Sequence, residues 1–251
     1  IDVQKSLVVV QELPQKLATA ASVEEIEEVS VSIEQELSLA HEVTEISEPI
    51  VQASTTYTLA VPFISQAPEG NWGEPWQEAC EEASLIMAAH YFNKTSISVA
   101  RAIAEIFTLV EYQTDLGLTY HDSTMQQTAE MGSSVHGLIT EIIENPTVKQ
   151  ITDQLSLGNL VIAPFAGRLL GNAYFTPPGP RYPVNVIIGY DNTTKEFITN
   201  DPGTRFGNRY RYTYDTIMNA MHDWTGNAAT IESGVKRVLI IKGIVNENTT
   251  N

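Results

Sequence analysis

Cysteine occurs once in 251 residues, at Cys80. A single thiol excludes an internal disulfide and any zinc site built from several cysteines. Long apolar runs are missing as well. None approaches the ~20 residues that a membrane-spanning helix needs. Basic residues are scarce, with 14 Lys and Arg against 31 Asp and Glu, for a net charge of −17. Such a chain repels phosphate backbones and anionic lipid, so no nucleic-acid partner is expected. There is no Walker loop, dinucleotide glycine fingerprint or HExxH pair, and neither a cofactor nor a metal is expected. What is present can build a core. Hydrophobic residues make up 43% and charged residues 18%, which excludes collagen, coiled-coil rods and a wholly disordered chain. The length fits one large domain or a domain with an appendage.

Charge is distributed unevenly. Residues 1–60 hold 11 acidic and 2 basic side chains, with no Gly, Trp or Cys and one aromatic, Tyr57. Stretches such as Val23-Glu24-Glu25-Ile26-Glu27-Glu28-Val29 read as an acidic extension over 1–57, partly helical or disordered, whose partner is unknown. The first residue is Ile1, and the chain is expected to be a trimmed form that lost a signal or anchor, located outside the cell or on its surface. Residues 246–251 read as a polar tail.

From Tyr57 onward the composition is that of a folded domain, assigned to 58–245. Tyr57–Ile64 reads as a strand and 67–75 as a Pro/Gly/Trp loop. Helices are predicted over Glu78–Tyr91, Ser98–Val110, Ser123–Met131, Gly137–Glu144, Thr147–Leu157 and Tyr214–Trp224. Strands are predicted over Leu160–Pro164 and Arg237–Val245, with a hairpin of Val184–Tyr190 and Glu196–Thr199. Helices first and antiparallel strands second give an α+β fold, not a doubly wound sheet.

Cys80 falls near the start of a predicted helix, where unpaired N–H groups and the positive end of the dipole favour a thiolate. Glu81 and Glu82 follow directly. They would oppose the thiolate if they faced it. From position alone, a buried structural cysteine and a nucleophile both remain open.

Val61-Pro62-Phe63-Ile64-Ser65-Gln66, a Trp-containing loop and Ala79-Cys80-Glu81-Glu82-Ala83-Ser84 together resemble the opening of C-39-like peptidases, bacterial cysteine peptidases of papain-like fold. Further blocks are similar: Phe175-Thr176-Pro177-Pro178-Gly179-Pro180, Ile188-Gly189-Tyr190-Asp191, Asn200-Asp201-Pro202-Gly203, Tyr210-Arg211-Tyr212 and His222-Asp223-Trp224. The resemblance implies a papain-like fold and a peptide or protein substrate. It implies Cys80 as nucleophile, Gln66 as an oxyanion donor worth roughly 3 kcal/mol in other enzymes, and Asp201 as the acid that orients a histidine.

That histidine is missing. The family's slot, at the start of the strand leading to Gly189-Tyr190-Asp191, holds Pro183, and the nearest polar side chain on the same strand face is Asn185. Neither is a general base. A turn around 192–193 would set Pro183 opposite residue 202, beside Asp201. Of the five histidines, His41 lies in the extension and His90 is about 15 Å from Cys80 along one helix. His121, His136 and His222 read as loop, packing or capping residues, although the loops of His121 and His136 could reach a cleft. Two functions therefore compete: an impaired thiol hydrolase, and a degenerate member that keeps the cleft to bind peptide.

Overall fold

The computed structural model describes residues 55–245. The acidic extension, apart from its last three residues, and the polar tail lie outside the described residues. Seven strands and five α-helices follow in the order β1 (Thr56–Thr58), α1 (Cys80–Asn93), α2 (Val99–Asp115), α3 (Met125–His136), β2 (Leu138–Glu144), α4 (Val148–Ser156), β3 (Leu160–Pro164), β4 (Val184–Asp191), β5 (Glu196–Asn200), β6 (Tyr210–Thr213), α5 (Tyr214–Ala220) and β7 (Arg237–Ile244). All pairings are antiparallel, in the order β2-β7-β3-β4-β5-β6. The short β1 takes the part of the β4 edge that β3 leaves free, pairing Thr56 with Asp191 and Thr58 with Gly189. A side chain at Gly189 would overlap the Tyr57 carbonyl, so this close approach requires glycine.

Helix α1 is the centre of the helical half. Every residue from Cys80 to His90 is buried, so the helix is enclosed on all sides rather than amphipathic. It packs on β4 and β7 and on α2 and α3. Its C-terminus turns at Lys94, in the left-handed region at φ 55°. Ser98, Thr124, Thr147 and Thr213 cap α2, α3, α4 and α5 through their side-chain oxygens, each cap worth ~1 kcal/mol. Strands β3 and β4 are buried along their whole length.

The predicted helix over Gly137–Glu144 is instead strand β2, paired with β7 from Leu138↔Ile244 to Glu144↔Arg237. Gly137, at φ 66°, ends α3 and reverses the chain. The Ile-rich run that follows then satisfies its backbone on a distant strand. Other boundaries move as well: strand β1 ends at Thr58, α2 runs on to Asp115, α3 runs on to His136, and α5 stops at Ala220.

Candidate active site

Cys80 opens α1, following a 3-10 turn at Trp76–Glu78. Its thiol faces the chain entering β4. Sγ lies 3.8 Å from the Tyr182 carbonyl oxygen, and the Val184 N–H lies near enough to favour its thiolate form. Pro183, the residue between them, is buried, and its ring lies against the backbone of Gly167. A carboxylate, not an imidazole, meets the thiol: Cys80 Sγ donates to Glu81 Oε2 at 2.9 Å.

Glu81 and Glu82 both point into the protein, each 1% exposed. Glu81 Oε1 accepts from the Ser123 N–H at 2.9 Å. Glu82 Oε1 accepts from Gln113 Nε2 at 2.5 Å, while Glu82 Oε2 has no partner. Ser123 Oγ closes the cluster by donating to Gln113 Oε1. Burial pushes the Cys80 thiol well above its ordinary value, and the charges of Glu81 and Glu82 add to this; only the Val184 N–H acts in the opposite direction. Burial likewise pushes the Glu81 carboxyl far up and that of Glu82 to about 7. The helix dipole favours a thiolate at Cys80 by well under what these effects cost.

Asp201 is fully buried behind the strand end. Its Oδ2 accepts from Tyr212 Oη at 2.7 Å and Asn172 Nδ2 at 3.1 Å, and its Oδ1 accepts from the Gly203 N–H at 3.1 Å. Burial still raises its pKa, because these bonds recover only part of the lost hydration. The expected neighbour across the hairpin is corrected by the register. The hairpin turns between Asp191 and Glu196, centred on 193–194, and the bulge between Ile187 and Gly189 recovers only one residue of that offset; the pairing Val186↔Asn200 then carries Asn185, not Pro183, onto Asp201. The Asn185 amide lies near enough to favour the ionised Asp201. Yet neither of its polar atoms completes a hydrogen bond, although the residue is 0% exposed.

Gln66 joins the same end of the domain. Its backbone N–H donates to the Pro202 carbonyl at 3.0 Å. A Cβ placed at Gly203 would lie 3.3 Å from Asp201 Oδ1 and 3.7 Å from Gln66 Oε1, so the two side chains converge there. The Gln66 amide is fully used: Nε2 donates to the Trp76 and Gln77 carbonyls, both at 2.9 Å. Two carbonyl partners fix which end of the amide carries nitrogen, and both hydrogens are consumed.

No described histidine hydrogen-bonds the Cys80 thiol. His90 bonds Glu105 and Thr95, and His222 Nδ1 bonds the Gly234 carbonyl. His136 lies near Glu105 and His90, with its pKa lowered by burial. His121 is exposed, meets Tyr120 edge to face with ring centroids 4.8 Å apart, and acts electrostatically on Glu78 and Asp122. His41 lies outside the described residues. Among the described residues, no group of three or more His, Cys, Asp or Glu side chains is arranged to hold a metal ion, and no helix is long and apolar enough to cross a membrane.

Several site residues were not singled out from the sequence. Tyr182 sends its hydroxyl to the Ser123 carbonyl and Asp223 Oδ1. Asp223 also accepts from the Met125 N–H and from Arg237. This buried hub fixes the approach to Pro183. Inward alternation in Tyr210-Arg211-Tyr212 was the available signal for Tyr212, the partner of Asp201.

A cysteine at the start of a buried helix, set against an antiparallel sheet that carries a buried aspartate one strand away, is the construction of the papain-like cysteine peptidase fold. The Peptidase_C39 like family matches residues 58–230, and the chain belongs to that family. Strand β7, between β2 and β3 in the sheet, follows the matched region. A crystal structure described as a C39-like peptidase from Bacillus anthracis superposes with a TM-score of 0.50 at 15% identity, covering 76% of this chain and 99% of the other. At that identity the likeness concerns the fold alone. No curated protein matches the chain.

Proposed function

We propose that this chain is a catalytically impaired cysteine-peptidase domain that keeps the cleft to bind peptide. The observation that carries this reading is the 2.9 Å contact between the Cys80 thiol and the Glu81 carboxyl group, in a segment where the family resemblance assigns the base to the slot of Pro183. A thiol protease needs a thiolate, a base to make it and donors for the oxyanion. Here the thiol is buried and donates to a buried carboxyl group, so a thiolate would add an uncompensated charge beside Glu81 and Glu82, which favours the protonated form. No imidazole stands ready to take its proton, and the two side-chain donors of Gln66 are bound to backbone carbonyls. Asp201, the acid that would orient an imidazole, is retained and held by Tyr212 and Asn172 instead.

Iodoacetamide alkylation of Cys80, followed across pH, tests the reading. The rate is expected to climb with pH up to and beyond that of a free thiol near 8.5, and peptide hydrolysis to be undetectable. The pH dependence separates an unactivated thiol from one that is merely shielded. A rate plateau near neutrality, or hydrolysis abolished by Cys80→Ala, would overturn it.

An active thiol hydrolase is the second reading. One observation favours it: His121 is exposed and acts on Glu78, two residues before Cys80. Loss of hydrolysis on His121→Ala would establish it.

A further inference from the structure

Four arginines without an ion pair among the described residues lie on two adjoining loops. Among the described residues Arg101, Arg211 and Arg237 are each bound to carboxylates. Arg168, Arg181, Arg205 and Arg209 are exposed and have no such partner, in a chain of net charge −17. Arg168 and Arg181 are joined through the backbone bond from the Gly167 N–H to the Arg181 carbonyl, next to Pro183. Arg205 lies 4.7 Å over the Phe206 ring. Phe206 in turn stacks on Tyr174, with ring centroids 4.8 Å apart, and these two rings are 50% and 53% exposed. Asn172, two residues before Tyr174, is bonded to Asp201 and Tyr212, which ties the two loops together at the base of the site.

Arg209 adds an independent sign. It sits at φ 56°, a left-handed conformation that glycine or asparagine adopts more easily. Its backbone N–H is held by Asn200 Oδ1 at 3.2 Å. An arginine at such a position keeps a charge at the expense of backbone comfort.

We propose that the loops spanning 168–181 and 205–209 form a cationic, aromatic rim that binds an extended acidic peptide. Carboxylates would pair with the free guanidinium groups, and proline or aromatic side chains would lie on Tyr174 and Phe206. The proposal rests on the reading that the cleft binds peptide, and it names the chemistry of that peptide. Charge complementarity selects the occupant, because the rest of the molecule is acidic and repels it.

The test is fluorescence polarisation of the full chain with a fluorescein-labelled peptide of alternating glutamate and proline. A lysine–proline peptide serves as control and polygalacturonate as competitor. The acidic peptide is expected to bind and to weaken as salt rises. The Arg205→Ala, Arg209→Gly pair should lower its affinity about fivefold or more, with a melting temperature unchanged or higher, since glycine suits the backbone at 209. Tyr174→Ala should weaken it as well. Equal binding of the lysine peptide, indifference to the arginine pair, or a preference for polygalacturonate over peptide would each overturn the proposal. Cys80 alkylation across pH is measured on the same samples. An unactivated thiol without rim binding rejects the rim alone, whereas hydrolysis of the probe rejects the impaired-enzyme reading.

Discussion

Glu82→Gln should stabilise the domain at alkaline pH and reverse the pH dependence that the buried carboxyl imposes. Folding raises this carboxyl from 4.5 to about 7. Below pH 4.5 both folded and unfolded chains carry its proton, and no penalty exists. Between 4.5 and 7 the unfolded chain releases the proton while the folded chain keeps it, so stability falls as pH rises. The interval is about 2.5 pH units at 1.36 kcal/mol each, or about 3 kcal/mol lost above pH 7. Glutamine imitates the protonated acid: its oxygen can still accept from Gln113, and the position of the unpartnered Oε2 stays neutral. The variant should therefore gain about 3 kcal/mol over the parent between about pH 4.5 and pH 8, or about 6–12 °C in melting temperature for a domain of this size. Thermal unfolding followed by circular dichroism at both pH values measures it. Parallel pH curves for parent and variant would refute the argument, because they would mean that Glu82 ionises in the folded state as easily as in the unfolded one.

Glu81→Gln removes the ionisable carboxyl at the thiol while preserving an acceptor for the Ser123 N–H. At alkaline pH, where Glu81 would otherwise ionise beside it, Cys80 alkylation should rise at least about tenfold, as read by mass spectrometry; an unchanged rate across pH would detach Glu81 from the thiol. Pro183→His should also speed alkylation but leave peptide hydrolysis undetectable, since the Gln66 donors remain occupied. Turnover that depends on Cys80 in that variant would show that Gln66 is not limiting. Gly207→Ala should destabilise the fold by about 3 kcal/mol or more, because a Cβ there overlaps the Asp201 carbonyl. Differential scanning calorimetry showing a loss of less than ~1 kcal/mol would disprove that crowding.

Much of the fold was legible because local chemistry and tertiary role agree in it. The Ser98 cap, the apolar face of α2 and the hairpin turn at Asp191, whose Oδ1 accepts from the Thr193 and Thr194 N–H groups, are all local events. Leu138–Glu144 was misread because its Leu, Ile, Thr and Glu residues suit a helix about as well as an edge strand. Its identity is decided by β7, almost at the other end of the domain, which no local pattern reports. The register at Asp201 was missed by one residue because the hairpin turns at 193–194 rather than 192–193; the run Asn192–Lys195 fixes no single centre, and the bulge between Ile187 and Gly189, invisible in a run of Val and Ile, recovers only part of the offset.

The site was legible as residue types and illegible as chemistry. Cys80, Gln66, Pro183 and Asp201 could be singled out from ordered blocks, and the absence of histidine between 181 and 191 is read directly from the sequence. Whether Glu81 and Glu82 oppose the thiol depended on rotation of α1. Because α1 is buried all round, two consecutive residues that normally face solvent must both face protein, and the polar set of Ser123 and Gln113 exists to receive them. The same enclosure ties three features of the candidate site together. Trp76 and Gln77 turn tightly ahead of α1. Their carbonyls both accept from the Gln66 amide, that of Trp76 in addition to the Ala79 N–H. The turn that starts α1 therefore accompanies the burial of Glu81 and Glu82 and occupies the Gln66 amide. Adding a base at 183 restores one of the three and leaves the others in place, so the effects of substitutions at Glu81, Gln66 and Pro183 should be strongly non-additive.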